Sequence, residues 1–384
     1  MKFAHMGDCH LGGWRQQELK ELNMQSFSKA VEICINEKVE FILIAGDLFD
    51  SAYPPMDSLK HAFEEFRKIK EANIPVFIIA GSHDYSVSGN TFLEVLEKAG
   101  FCKNVVKFED RLGEIILEPT IYKNFAIYGY PGKKSGLEVP EIRRLKLQDS
   151  PGLFKILMLH TTIRDAIGSL PIDAVNEKFL PKVDYLALAH LHIKYQRDNR
   201  VYSGPTFPNS ISELEELKGG SLYIFNNGSI KRQEIKTKEI LSAQFEINNS
   251  LNVTDSIISY FNSLEVKDKI IILRLSGLLE IGKTSDIDFQ KIEANLRQKG
   301  AFSFLKSTSL LSVLESENTE EFSNQDNLEE NIISKFLEKN SSKYNSLIPD
   351  LIKSLQVSKL EDEASSSFES RLFSEVKKII NYDT

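Results

Sequence analysis

Five short apolar runs, each breaking off at an acid or a histidine, constrain this chain more than any other feature. Lys2 to Met6, Phe41 to Ala45, Val76 to Ala80, Phe154 to Leu159 and Tyr185 to Ala189 are five or six residues long and largely apolar. Runs of that length predict strands buried on both faces. Between the first three lie the stretches "MQSFSKAVEICINE" and "DSLKHAFEEFRKIKEA", in which Phe27, Val31, Cys34 and Ile35, then Leu59, Phe63, Phe66 and Ile69, recur at helical spacing. Strand, helix, strand at this interval requires parallel pairing, so residues 1–236 are expected to form an α/β sandwich.

The chain has 384 residues, enough for two or three domains, with 41% hydrophobic and 27% charged residues. No apolar run approaches a membrane span, and the sequence opens on the strand-like "MKFAHM" with no signal pattern, so a cytoplasmic protein is expected. Three scattered cysteines, Cys9, Cys34 and Cys102, fit neither a disulfide framework nor a zinc site. The formal charge of -8 is unevenly spread. From Val313 onward 15 acids face 8 bases, a net of -7, which leaves 40 acids and 39 bases in residues 1–312. A nearly neutral body can carry a basic face, so the acidity does not exclude a nucleic-acid partner.

After residue 236 the pattern changes. "SAQFEI", "KIIILRLSG" and "FSFLKST" predict strands around two helices, a second α/β module over 237–312. "ESENTEEFSNQDNLEE" (315–330) holds seven acids and no base, so 313–330 reads as an acidic linker. Residues 331–384 read as helical.

The polar strand ends carry the chemistry. They supply Asp8 and His10, Asp47, Ser82, His83 and Asp84, His160, then His190 and His192; five of the seven histidines fall there. In open α/β sheets ligands bind at the carboxyl edge of the strands. Extended alternation would turn Asp8 and His10 one way and Cys9 the other, and likewise His190 and His192 against Leu191. Asp8, His10, Asp47, His160, His190 and His192 form a carboxylate and imidazole set without thiolate, suited to manganese, iron or zinc. Two such ions about 3.5 to 4 Å apart would stabilise the attacking and leaving oxygens of a phosphoester and lower the pKa of water to about 7. His5, inside a strand, and His61, on a helix, read as structural.

"GDCH", "GDLFD", "GSHD", "LH" and "AHLH" resemble the signature of the calcineurin-like metallophosphoesterase superfamily. "FAHMGDCHLG", "AGDLFDSAYPP", "YSGPTF" and the module after 237 resemble the archaeal meiotic-recombination-eleven nucleases, related to bacterial SbcD. The resemblance implies a four-layer sandwich of two mixed sheets flanked by helices, a smaller α/β capping domain that binds DNA, and a helical C-terminal tail. It implies a double-strand-break repair nuclease, a 3′-to-5′ double-strand exonuclease and single-strand endonuclease holding two Mn2+ ions. It further implies a homodimer working with a coiled-coil ATPase on the prokaryotic nucleoid.

By the same resemblance Asp8, His10, Asp47 and His192 would hold one ion, and Asp47, His160 and His190 the other. His83 would assist the leaving 3′ oxygen, with Asp84 orienting its ring. Ser82 stands where the superfamily has an asparagine ligand. Its shorter hydroxyl leaves three outcomes: the backbone moves closer, a water bridges, or that ion binds more weakly. Asp50 stands where many relatives have another histidine.

Phosphate-contact candidates beside this edge are Arg15, next to Trp14, then Lys133, Lys134, Arg143, Arg144 and Lys194. Contacts of that kind bring strong salt dependence and little sequence preference. In the tail, Leu347, Leu351, Ile352 and Leu355, then Phe368, Leu372 and Val376, form apolar stripes suited to a partner's groove, and the resemblance puts the ATPase there. Two other readings use the same motifs. A small-substrate phosphodiesterase or nucleotidase would not need the second module and tail. A DNA-end-binding scaffold with catalysis impaired at Ser82 would hold a single ion tightly and leave DNA uncut.

Overall fold

The computed structural model describes residues 1–86, 91–170, 172–313, 345–355 and 365–380. The expected strands and helices form, with β1 at Lys2–Met6, β2 at Ile42–Ala45 and β3 at Val76–Ile79, and with α1 at Gln17–Asn36 and α2 at Met56–Glu71. Asn73 ends α2 in a left-handed conformation, φ 57°, of the kind that commonly closes helices.

Two six-stranded sheets build the body. One runs Ser229–Ile235, Gly220–Asn226, β1, β2, β3, Lys103–Asn104; the other runs Tyr195–Arg197, Arg200–Tyr202, Tyr185–Ala189, Phe154–His160, Phe125–Tyr130, Thr120–Tyr122. Both are mixed: β1, β2 and β3 pair in parallel, while β1 meets Gly220–Asn226 antiparallel.

Period-two alternation sorts each strand between two cores. Ala4, Met6, Ile42, Ile44, Val76 and Ile78 face α1 and α2, where they meet Phe27, Val31, Leu59 and Phe66. Phe3, Leu43, Ala45, Phe77 and Ile79 face the second sheet, where they meet Ile156, Met158, Tyr185 and Ala187. Phe3 stacks on Phe41 and Phe225 at 5.0 and 4.7 Å and meets Tyr185 edge-on at 5.0 Å. Each such buried side chain stabilises the sandwich by about 1.5–3 kcal/mol, which explains why apolar runs with no polar face form strands here. The far face of the second sheet is covered by a small sheet (Phe108–Arg111, Glu114–Leu117, Leu145–Leu147) and one-turn helices at Val139–Ile142 and Arg164–Ile167.

The second module is a three-stranded parallel sheet, Ile240–Glu246, Ile270–Leu279 and Ser303–Val313, with helices Val253–Asn262 and Phe289–Gln298 between successive strands. Ile257, Phe261, Leu273, Ile292 and Leu296 form its own core. Its other face sends Ile270, Ile272 and Leu305 against Leu19, Leu22, Phe207 and Leu214, and residues 1–314 make one compact unit.

In the separate unit that follows, Ile348–Leu355 and Ser365–Ile380 are helices packed on each other. Leu347, Leu351, Leu372 and Val376 are half-buried there. The side chains of Ile352, Leu355 and Phe368 lie outside the described residues, as does the acidic stretch 315–330. Among the described residues no helix is long and apolar enough to cross a membrane.

Candidate metal centre

The polar residues converge where the strands end. Asp8, His10 and His192 bring ligand atoms within 4.8 Å of one another, and Asp8, Asp47 and His160 form a second such group. Asp8 is common to both. Asp47 also lies between them, with Oδ2 3.1 Å from His160 Nε2 and 3.8 Å from His10 Nε2. Asp8, His10, Asp47 and His160 are buried.

The convergence does not come from extended alternation. β1 stops at Met6 and the strand Tyr185–Ala189 stops before His190, and the chain then turns through left-handed residues: Asp8 at φ 50°, His10 at 43°, Asp47 at 50° and His190 at 97°. Such conformations cost on the order of 1–3 kcal/mol each and persist where the surroundings over-determine them. Here they do: Asp8 N donates to Gly46 O, His10 N to Asp47 O, and His190 N to both Asp8 oxygens at 3.0 and 3.1 Å. Gly81 has to be glycine, because a Cβ there would collide with the carboxylate and main-chain N of Asp47. His190 belongs to neither group, but its ring lies 5.0 Å from that of His160. Ser82 Oγ donates to Asp47 Oδ2 at 3.4 Å.

Electrostatics and hydrogen bonding suit a cation. Burial opposes the ionised form of Asp47, but the charge and hydrogen bonding of His160, the charge of His10 and the His83 N–H together outweigh it and hold the carboxyl well below its usual range. Burial likewise opposes a charged His160, yet Asp47 and Asp8 raise it to about 10. Burial and then His160 lower His190 to about 4. Two buried carboxylates thus make a field that favours positive charge. His160 Nδ1 donates to Ala45 O at 3.0 Å, while its Nε2 is buried and makes no hydrogen bond. His10 and His192 bring their Nε2 atoms to 3.1 Å of each other. Ring nitrogens gathered in this way, with the other nitrogen engaged by protein oxygen, are what metal-binding histidines present. The residues fit a divalent metal cofactor.

His83, exposed in part, sits beside these groups. Its main-chain N donates to Asp47 Oδ1 at 2.7 Å, its Nδ1 donates to Asp50 O at 2.8 Å, and its ring stands 4.7 Å from that of His10. Asp84 does not orient it, contrary to expectation. The Asp84 carboxylate is buried and turned the other way, accepting from Phe49 N at 3.1 Å and Gly81 N at 2.9 Å. Burial and the charge of Asp47 push Asp84 up to about 7 against those two donors. Asp84 therefore ties the β3 turn to the β2 turn, and the Asp50 carbonyl holds His83.

Two contributors were not legible as such. Asp50 Oδ1 meets His10 Nδ1 at 3.1 Å, and Glu213 Oε2 accepts from His192 Nδ1 at 2.9 Å. Glu213 did leave a sign, the Ser-x-x-Glu capping pattern at Ser210. Ser210 Oγ accepts from Glu213 N at 3.2 Å, and the helix Ile211–Leu217 starts there.

The cationic candidates divide. Lys134 lines a cavity of about 420 Å³ beside His83, with Asp50, Tyr53, Ser82 and Tyr85. Arg15 and Lys194 are exposed. Lys133 is engaged by Glu141 at 2.7 Å, Arg143 by Asp173 at 2.9 Å and Arg144 by Asp110 at 3.6 Å. Trp14 is anchored by Nε1 to Pro208 O at 2.8 Å.

A mixed-sheet sandwich with carboxylates and imidazoles gathered at its strand ends is a metallophosphoesterase. Residues 1–194 match the family described as calcineurin-like phosphoesterase, and the chain belongs to that family, on its Mre11-type side. The DNA double-strand break repair protein Mre11 of Methanocaldococcus jannaschii is 31% identical over 263 residues, 65% of this chain and 69% of the relative. That of Methanosarcina acetivorans is 28% identical over 319 residues, 78% of this chain and 49% of the relative. The uncharacterized metallophosphoesterase YhaO of Bacillus subtilis is 28% identical over 301 residues, 72% of this chain and 71% of the relative. The chain spans about half the length of the two Methanosarcina relatives it matches.

Proposed function

We propose that this chain is a DNA double-strand-break repair nuclease that uses two Mn2+ ions as a 3′-to-5′ double-strand exonuclease and single-strand endonuclease. The observation that carries the reading is the pair of donor groups joined by Asp8 and Asp47, in a chain whose likeness to repair proteins extends beyond the phosphoesterase segment into the second module. Asp8, His10, Asp47 and His192 would hold one ion, and Asp47, His160, His190 and, directly or through water, Ser82 the other. When bound, the ions would supply charge neutralisation at the phosphate and an activated water. His83 commits its Nδ1 proton to the Asp50 carbonyl, so proton transfer to the leaving 3′ oxygen runs through Nε2. Among the described residues Arg15, Lys134 and Lys194 are exposed cations without a carboxylate partner, and these would meet backbone phosphates. Lys133, Arg143 and Arg144 would have to leave their carboxylates to join them. The decisive experiment incubates labelled double-stranded oligonucleotide, and in parallel a small chromogenic phosphodiester, with the purified chain and Mn2+. Hydrolysis of the small ester alone would move the function to small substrates.

Ser82→Asn restores a carbonyl with longer reach. It is expected to tighten the second Mn2+ about tenfold, or about 1.4 kcal/mol, in a calorimetric titration. An unchanged second affinity would remove Ser82 from the site.

The tail stripes, Leu347, Leu351, Ile352, Leu355, Phe368, Leu372 and Val376, would bind a coiled-coil ATPase. Deleting residues 331–384 is expected to spare cleavage of short oligonucleotides and abolish co-precipitation of the ATPase; retained co-precipitation would place the surface elsewhere. Homodimerisation completes the proposal, and light scattering should give twice the 43.6 kDa chain mass.

A further inference from the structure

Three residues, Asp50, Asn209 and Glu213, are joined to one another and to three imidazoles, and Asp50 brings a ligand atom within 4.8 Å of those of His10 and His83, a third donor group beside the two above. Asp50 Oδ1 accepts from His10 Nδ1 at 3.1 Å and from Asn209 Nδ2 at 3.2 Å. Asn209 N donates to Glu213 Oε2 at 2.9 Å, and that same oxygen accepts from His192 Nδ1 at 2.9 Å. Asp50 reaches a third ring through its carbonyl oxygen, which accepts from His83 Nδ1 at 2.8 Å. An ionised carboxylate or a carbonyl has no proton to give, so Nδ1 is protonated in all three rings and Nε2 is the atom turned toward the reaction.

We propose that Asp50, Asn209 and Glu213 form one positioning chain that fixes proton placement and ring angle in His10, His192 and His83, and so sets how tightly the centre holds its first divalent ion. The inference rests on the metallonuclease reading and deepens it. None of the three residues is assigned contact with substrate; they act through the imidazoles.

Two details favour a chain over three separate contacts. Asn209 Oδ1 is buried without a hydrogen bond, and flipping the amide would press that oxygen onto the Asp50 carboxylate, so Asp50 dictates the orientation of Asn209. The far end is braced by the second module. Glu213 lies in Ile211–Leu217, whose Glu215 accepts from Arg274 at 2.6 Å and from Ser242, and whose Leu214 packs with Ile270 and Ile272. Asp50 is also the one member that touches two rings. A single residue therefore links the geometry of the His10 ring to that of His83.

The test is calorimetric titration of the full chain with Mn2+, with circular dichroism to confirm folding. Glu213→Ala and Asp50→Ala are expected to weaken the tightest Mn2+ about 10- to 100-fold, whereas Glu213→Gln and Asp50→Asn, which keep an acceptor oxygen, recover to within about threefold. Alanine variants that fold and bind Mn2+ as the unaltered chain does overturn the proposal; so do conservative variants as weak as the alanine ones. A second measurement needs no substitution in the chain of contacts. In unaltered protein labelled with 15N-histidine, Nδ1 of His10, His83 and His192 should be protonated, and an unprotonated Nδ1 on any of them overturns the proposal. Failure of the unaltered chain to bind Mn2+ would refute the metallonuclease reading, while the histidine spectra still decide the positioning chain.

Discussion

His83→Ala is expected to keep both Mn2+ ions and to cleave DNA about 10²- to 10⁴-fold more slowly, the usual contribution of a positioned proton donor. The geometry separates the two effects cleanly. The contact of His83 with Asp47 is made by the main-chain N at 2.7 Å and survives substitution, so the carboxylate stays in place. What disappears is a partly exposed ring, held by Nδ1 on the Asp50 carbonyl and edge-on to the His10 ring, and a surface loss of this kind changes stability by only about 0.5 kcal/mol. Calorimetric counting of Mn2+ beside single-turnover cleavage checks both halves. If an ion is lost with the ring, His83 is a ligand and its catalytic assignment is wrong.

The body of the fold was legible because its strands carry one physical demand. Ile42 and Ile44 face helices while Leu43 and Ala45 face a sheet, and both neighbours are apolar, so a four- or five-residue run without a polar face, bounded by Gly46, fits an interior strand. The convergence of Asp8, Asp47 and His160 was legible for a related reason, since parallel strands deliver their carboxyl ends to one edge. What failed was the extrapolation of strand geometry past the strand. Asp8, His10, Asp47 and His190 are left-handed, and the turn chemistry, not alternation, aims them. The outer contacts were hidden because they join distant positions: Asp84 to Phe49 N, Asp50 to His10, Glu213 to His192. Spacing shows that a carboxylate lies at a strand end and is silent on whether it faces a ring or two main-chain N–H groups. Asp84, adjacent to His83 in sequence, shows the error that nearness in sequence invites.

The second large effect belongs to Asp47→Asn, which is expected to leave a well-folded chain that loses Mn2+ and slows cleavage by at least about a thousandfold. The amide fits the carboxylate's place. Its oxygen can accept the His83 N–H, and its NH2 can donate toward His160 Nε2, 3.1 Å from the present Oδ2, because the Ala45 carbonyl already holds the His160 proton on Nδ1. Melting temperature should nevertheless fall somewhat, because a carboxyl held below its usual range beside His160 stabilises the folded state and the variant gives that contribution up. The negative charge between the two donor groups is gone, however, and metal-borne stabilisation of a phosphoryl transition state is worth several kcal/mol. At 1.36 kcal/mol per decade, about 4 kcal/mol corresponds to three decades of rate. Calorimetry, thermal denaturation and oligonucleotide cleavage on the same preparation separate the contributions. A variant that binds two Mn2+ ions and retains its cleavage rate would reduce Asp47 to a structural tie between the β2 and β3 turns, leaving Asp8 to join the groups.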